Sequence, residues 1–246
     1  MNRLFRSFLS GFCFSVFGIG GIFVGATLVP LLLIFCSKPV QKRVLSNTVH
    51  YLWRAFVWMM CALRLINIKI KNEKTLRKLR GNIVIANHPS LIDVVILVSK
   101  IPRSICVVKG SLFKNMFVKS LIRRVYLSNS MSPEDFLDAA SKDLADGYNI
   151  IIFPEGTRTQ KQKPIHLHRG FAYLQMRSGH DIQPVLIENR PHILGKNTAW
   201  YDVGDKTSVY TLKPLSKIVF NKKFKRTARQ TAVSITEATK KSLFSA

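Results

Sequence analysis

Acidic side chains are scarce in this chain. Its 246 residues hold 13 Asp and Glu against 38 Lys and Arg, a formal charge of +25, and no acid precedes Glu73. That surplus calls for an anionic partner or surface, which nucleic acid, anionic lipid headgroups and phosphorylated substrates would all satisfy. Cysteine is equally sparse. Cys13, Cys36, Cys61 and Cys106 form no CxxC pair and no His/Cys spacing suited to a metal. They read as reduced, apolar residues of a cytoplasm-facing protein, with no metal site. Internal repeats, low-complexity linkers and nucleic-acid recognition motifs are also missing, which leaves one globular domain and no nucleic-acid partner. Hydrophobic residues reach 47%, too many for disorder and too few for a polytopic membrane protein.

Charge is missing altogether between Ser7 and Ser37. As a helix this run would be ~46 Å long, more than a hydrocarbon core of ~30 Å requires. It can span with tilt, or break near Gly18, Gly20, Gly21, Gly25 or Pro30 and re-enter as a hairpin. Its length argues against a cleaved signal peptide. Arg3 and Arg6 precede it, whereas Lys38, Lys42, Arg43 and Arg54 follow, which favours a cytoplasmic main domain. From Val40 to Ile66, Trp53 and Trp58 stand beside Lys42, Arg43, Arg54 and Arg64. That stretch suits either a helix lying in the headgroup layer or an ordinary core helix. Residues 1–66 are thus expected to form a membrane anchor with an interfacial helix, and 67–246 the functional domain.

Past Asn67, short apolar runs alternate with helical stretches. Strands are predicted at Ile66–Ile70, Ile83–Ala86, Ile105–Val108, Val125–Leu127, Ile150–Phe153, Pro184–Ile187 and Val209–Leu212. Their unbroken apolar character implies burial on both faces. The clearest helix is Pro133–Asp146, with Ser132 as its cap, Pro133 at its first position and Gly147 at its exit. Others are predicted over Arg169–Ser178 and Ala228–Leu243. The alternation gives an α/β domain with a mixed, largely parallel sheet flanked by helices. The C-terminal run Lys222, Lys223, Lys225, Arg226, Arg229 reads as a solvated helix face rather than a binding patch.

Two groups of residues carry chemistry. The first, Asn87-His88-Pro89-Ser90 with Asp93, follows a buried strand, where α/β sheets commonly place ligands. Histidine is a general base at neutral pH, and a carboxylate can fix its tautomer. Five residues is poor spacing for one helix face, so the pair works best with His88 in the turn before a helix and Asp93 in its first turns. Alone the spacing is weak, because a histidine capping a helix beside a surface aspartate reads the same. The second group, Phe153-Pro154-Glu155-Gly156-Thr157-Arg158, also follows an apolar strand. A glycine turn with an arginine and a hydroxyl can hold a phosphate, with Glu155 orienting Arg158 or binding acceptor hydroxyls. A Glu–Arg pair that merely ties the loop down would look alike.

Taken together, in this order and about 65 residues apart, the two blocks resemble the glycerolipid acyltransferase family, which includes bacterial 1-acylglycerol-3-phosphate acyltransferases. The similarity covers residues 67–215. It implies an O-acyltransferase moving a fatty acyl group from acyl-CoA or acyl-carrier protein to 1-acyl-glycerol-3-phosphate, giving phosphatidic acid, with no cofactor beyond the donor. His88 and Asp93 would be catalytic. Lys109, Glu155, Gly156, Thr157 and Arg158 would bind the substrate. No Ser or Cys nucleophile with its own base is evident, so direct transfer is expected. The implied setting is an anionic bacterial inner membrane, with the catalytic domain on the cytoplasmic side. The third block, Val108-Lys109-Gly110-Ser111-Leu112-Phe113-Lys114-Asn115, departs from the family. Gly110 and Ser111 stand where relatives often carry a glutamate, and Ser128-Asn129 where many carry an arginine. The departures keep open another lysolipid acceptor, such as a lyso-aminolipid. A catalytically silent relative is the other alternative. Ile182-Gln183-Pro184-Val185 resembles the family's final strand motif and equally suits a core strand. His166, His168 and His180 are read as bystanders, and Lys161 and Lys163 as a loop that touches headgroups.

Overall fold

A computed structural model describes residues 2–110, 124–160, 164–219 and 227–244. Ser111–Asn115 of the third block, Lys161, Lys163 and the run from Lys222 to Arg226 lie outside these residues.

Helix α1 (Arg3–Phe35) starts at Asn2, whose side chain accepts from the Leu4 amide at 3.2 Å. It runs unbroken past all its glycines and Pro30, so the predicted break does not occur there. In apolar surroundings backbone groups have no other partners, which favours keeping the helical bonds. The chain reverses instead at Cys36–Ser37 and returns as α2 (Lys38–Ala62), with Pro39 in its first turn. Phe17 packs on Trp53 and Phe56 at ring distances of 4.8 and 5.1 Å. One face of α1 therefore lies on α2, while Phe5, Phe8, Phe12, Ile19, Phe23 and Phe35 on the other stay exposed.

The α2 helix is tied to the body near its start and at its middle. Lys42 pairs with Asp143, and the His50 ring meets the Val98 carbonyl at 2.7 Å. Phe56, Val57 and Met60 are buried, whereas Trp58 is exposed. The core-helix expectation thus holds for the face that carries Phe56, Val57 and Met60.

The body is a seven-stranded sheet of β1 (Ile66–Ile70), β2 (Ile83–Ala86), β3 (Ser104–Val108), β4 (Leu127–Ser128), β5 (Asn149–Ile152), β6 (Ile182–Arg190) and β7 (Ser208–Pro214). The spatial order is β1-β7-β6-β2-β5-β3-β4, parallel throughout except for the antiparallel β6–β7 pair. Between the strands lie α3 (Glu73–Arg77), α4 (Asp93–Lys100), α5 (Pro133–Ala145) and α6 (Gly170–Ser178), and α7 (Ala228–Phe244) follows β7.

Side chains alternate across the sheet. Val84, Ala86, Cys106, Ile151 and Val185 join α2 and α4 in one apolar cluster. Ile83, Ile85, Ile105, Ile150 and Ile152 join α5, α6 and α7 in the other. Covering both faces is what removes polar residues from the central strands. Several strand bounds differ from those predicted, and two of the differences have a visible reason. Val125 ends a helical turn, leaving Leu127–Ser128 as the strand. β6 runs to Arg190 because β7 pairs with it through the polar residues Glu188 and Asn189.

Because β2 pairs with both β5 and β6 in parallel, the turns after all three strands leave the same end of the sheet. Asn87 extends this pairing by one side chain. Its amide donates to the Ile187 carbonyl at 2.8 Å and accepts from the Ile187 amide at 2.7 Å. Asn87→Ala strips two hydrogen bonds from buried backbone groups and should cost about 2–4 kcal/mol. The thermal unfolding midpoint checks it, and an unchanged value would refute the clamp.

Candidate active site

Helix α4 begins at Asp93, with Ile92 at its cap position. The preceding turn, Asn87 to Leu91, therefore folds back over the aspartate. His88 is half-buried and its Nδ1 lies 2.8 Å from Asp93 Oδ2. Asp93 is fully buried, and Ser90 satisfies it further, through its amide to Oδ2 at 2.6 Å and its hydroxyl to Oδ1 at 2.6 Å. A carboxylate can only accept, so this pairing makes Nδ1 the protonated ring nitrogen and leaves the Nε2 lone pair open. Phe153, just past β5, stacks on the imidazole with ring centroids 4.3 Å apart and holds its plane.

The second turn docks onto the first. Thr159 donates its amide to the His88 carbonyl at 2.7 Å. Glu155 Oε1 accepts from the His88 amide at 3.1 Å and from the Thr159 hydroxyl at 2.6 Å. Glu155 thus joins the two turns and makes no bond to Arg158. Burial pushes its carboxyl above the ordinary carboxylate range, against the opposing pull of those hydrogen bonds.

Gly156 sits at φ +66° in the turn, and a Cβ there would meet the His168 ring at 3.2 Å. Both facts call for glycine. Arg158 is half-buried, and its Nη1 donates to the carbonyls of Leu194 at 3.2 Å and Gly195 at 2.6 Å. The described residues offer no partner to its Nε and Nη2, so one edge of the fork remains for an anion. Thr157 is exposed beside it.

The structure thus brings His88, Asp93, Glu155, Gly156, Thr157 and Arg158 into one cluster. Lys109 follows the end of β3, exposed and without a partner among the described residues. Beyond it, the Gly110 amide donates to Asn129 Oδ1 at 3.1 Å. A Cβ on Gly110 would fall 2.3 Å from the Ser130 hydroxyl, so the two loops touch where a larger residue has no room. His166 and His180 lie off the cluster, whereas the His168 ring packs over Gly156 and its amide donates to the Pro154 carbonyl at 2.8 Å. Among the described residues, no three His, Cys, Asp or Glu side chains are grouped to hold a metal.

Sequence reasoning misses three participants. Thr159, next to Arg158, is the one a local reading could have found. Tyr210 on β7 is fully buried, with its phenol bonded to Ser90 and Asn189. Burial holds that phenol far above its ordinary pKa, so it stays neutral. The third is the pair of carbonyls at Leu194 and Gly195. Neither they nor Tyr210 lie near either block in sequence, and nothing local marks them.

The acyltransferase family profile matches residues 67–188, which contain both turns. The chain is 27% identical over 125 residues to a 1-acyl-sn-glycerol-3-phosphate acyltransferase of Cocos nucifera, covering 48% of this chain and 39% of that protein. It is 22% identical over 179 residues to an uncharacterized acyltransferase of Schizosaccharomyces pombe, covering 69% of this chain and 62% of the relative. The chain thus spans less than two thirds of each relative's length. The crystal structure of the 1-acyl-sn-glycerophosphate (LPA) acyltransferase PlsC from Thermotoga maritima shares the fold at a TM-score of 0.70 and 17% identity, over 98% of both chains. With the His88–Asp93 turn and the Phe153–Arg158 turn joined inside the matched stretch, the chain belongs to the glycerolipid acyltransferase family.

Proposed function

We propose that this chain is an O-acyltransferase that moves a fatty acyl group from the thioester of coenzyme A or acyl-carrier protein to the free hydroxyl of 1-acyl-glycerol-3-phosphate, giving phosphatidic acid. The observation that carries the reading is an imidazole whose Nδ1 is held by buried Asp93 at 2.8 Å while Nε2 stays open. His88 Nε2 takes the proton of the acceptor hydroxyl as that oxygen attacks the thioester carbonyl. The C–S bond then breaks, and the leaving sulfur receives a proton as the free thiol. The base step is worth ~10²–10⁴ in rate, and positioning of the two substrates supplies much of the rest.

Arg158, through its unpartnered guanidinium edge, binds the acceptor phosphate with Gly156 and Thr157, and Lys109 assists from β3. Glu155 serves the site by aligning the two turns. Residues 67–246 form the catalytic domain. Residues 1–66 attach it to an anionic membrane through the exposed apolar face of α1, which runs for 33 residues and suits lipid contact. Because α2 is bonded to the body at Lys42 and His50, α1 lies along the domain with its free face in the bilayer. The setting is a bacterial inner membrane with the domain in the cytoplasm, where thioester donors are made.

A second reading, transfer to another lysolipid such as a lyso-aminolipid, is favoured by one observation. The loop beyond β4 offers the uncharged Ser128, Asn129 and Ser130 where many relatives carry an arginine.

The test is reconstituted protein supplied with lysophosphatidic acid and either donor. Phosphatidic acid should form, and His88→Ala should lower the rate about 10²–10⁴-fold. Equal product from both proteins would eliminate the base, and product only with another lysolipid would replace the acceptor. Asp93→Asn should lower kcat by about 10²–10⁴-fold with little change in KM, because it frees the imidazole to adopt the wrong tautomer.

Glu155→Gln keeps the acceptor oxygen and removes the charge. The folded-state carboxyl of Glu155 is raised, so the folded chain binds its proton more tightly than the unfolded chain does. Stability should therefore rise as pH falls through the raised value. Thermal midpoints from neutral to mildly acidic pH should show that gain in the natural chain relative to Glu155→Gln. A difference that stays constant across the range would count against it.

A further inference from the structure

The loop between β6 and β7 has features that acyl transfer alone does not use. It leaves the sheet at the same end as the site turns, because β6 is parallel to β2. Its shape is fixed. Leu194 and Asn197 hold left-handed backbone at φ 54° and 74°. Thr198 closes a turn on the Gly195 carbonyl through its amide at 3.3 Å and its hydroxyl at 2.9 Å, and the Asp202 amide closes the next turn on Ala199. Nevertheless Trp200 and Tyr201 at its tip are 48% and 47% exposed. An ordered loop that holds two large aromatics half in solvent is uneconomical unless something meets them.

The neighbour of this tip is the N-terminal half of α1. Arg3 binds both oxygens of Asp202, at 3.3 and 2.7 Å. Arg6, buried, donates to the carbonyls of Gly204, Lys206, Arg64 and Leu65 at 3.0–3.2 Å. Trp200 packs edge-on against Phe14 at 5.4 Å and against Tyr201 at 5.3 Å. Phe8, Gly11, Phe12 and Ser15 form a shallow crevice with the two aromatics. The exposed face of the apolar helix therefore continues without a gap onto the loop tip.

We propose that the Gly195–Lys206 loop is a second bilayer-docking element, with Trp200 and Tyr201 seated in the interfacial layer beside the free face of α1. Two amphipathic rings with one polar atom each, next to a largely apolar helix face, match the chemistry of the headgroup–acyl boundary. The loop's own charge is balanced, Lys196 and Lys206 against Asp202 and Asp205, so the seating relies on the rings and not on anionic lipid. The root of the loop is the Leu194–Gly195 pair that receives Arg158 Nη1, and the Leu91 amide donates to the Leu194 carbonyl at 2.9 Å. Seating the tip in the interface thus sets the height of the phosphate-binding arginine relative to the headgroups. The inference rests on α1 being the membrane-associated helix, and it deepens the proposed function by saying how the site meets a membrane-resident acceptor.

The experiment uses the full chain with Trp53→Phe and Trp58→Phe, which leaves Trp200 as the sole tryptophan. It is reconstituted into phosphatidylcholine vesicles brominated near the carbonyl end of the acyl chains, with and without phosphatidylglycerol. Trp200 emission should shift to the blue and be quenched several-fold more by the bromolipid than by aqueous iodide, with either lipid mixture. Quenching by iodide alone would overturn the proposal, and so would failure of the protein to associate with the vesicles. If the double replacement does not fold, Trp200→Phe in the natural chain gives the same quantity by difference. A second arm measures acyl transfer to a vesicle-borne acceptor. Trp200→Ser with Tyr201→Ser should raise KM several-fold at unchanged kcat, and an unchanged KM would overturn the coupling to Arg158. Absence of activity in the natural chain as well would count against the proposed reaction, and the fluorescence result would then decide the docking.

Discussion

A carboxylate with no solvent exposure is tolerable only if the fold brings hydrogen-bond donors to it, and in this protein the surroundings of Asp93 do that. Removing an ionised group from water is expensive unless it is paired and bonded. Asp93 receives the His88 ring together with the amide and hydroxyl of Ser90. All three come from the turn that precedes its own helix. The arrangement constrains the turn as much as the turn serves the aspartate, because moving any donor away would leave a buried negative charge short of partners. The imidazole orientation follows from that constraint, with Phe153 closing the opposite side.

The sheet makes this local solution useful. Parallel pairing of β2 with β5 brings the end of one strand beside the end of the other, so two turns distant in sequence emerge as neighbours. Glu155 and Thr159 then join them through the backbone of His88. On the other flank, Asn87 prolongs the register to β6, whose exit loop reaches Arg158. Three adjacent strand ends thus supply the histidine, the arginine-bearing turn and the carbonyls that brace it. The carboxylate of the second turn is raised by burial because it stands at this junction, where both turns exclude water from it.

How much of this is legible in the sequence follows from the range of each interaction. The central strands are readable because burial on both faces removes polar residues from Ile83–Ala86 and Asn149–Ile152. The α5 helix is readable because Ser132 caps it through the Asp135 amide at 3.1 Å. His88 and Asp93 are five residues apart, and the turn-then-helix geometry they need can be anticipated from that spacing. What cannot be anticipated depends on pairing across the sheet. Tyr210, Leu194 and Gly195 reach the site only because β6 and β7 form an antiparallel pair outside the parallel core. The role of Glu155 is hidden for the same reason, since its partner is a backbone amide 67 residues earlier. The glycines of α1 mislead because a long helix can carry them through an unbroken run of its own backbone bonds, despite their poor propensity.

Arg6 carries an implication for how the molecule comes into being. Its guanidinium bonds reach carbonyls 58, 59, 198 and 200 residues further along the chain. A polypeptide is made from its N-terminal side onward, so α1 emerges well before the loop that receives Arg6 has been polymerised. During that interval a long apolar helix lacks the protein contacts that later fasten it, and the membrane attachment proposed above would shelter it. Lodging first and fastening last would make assembly on the membrane part of the folding pathway itself.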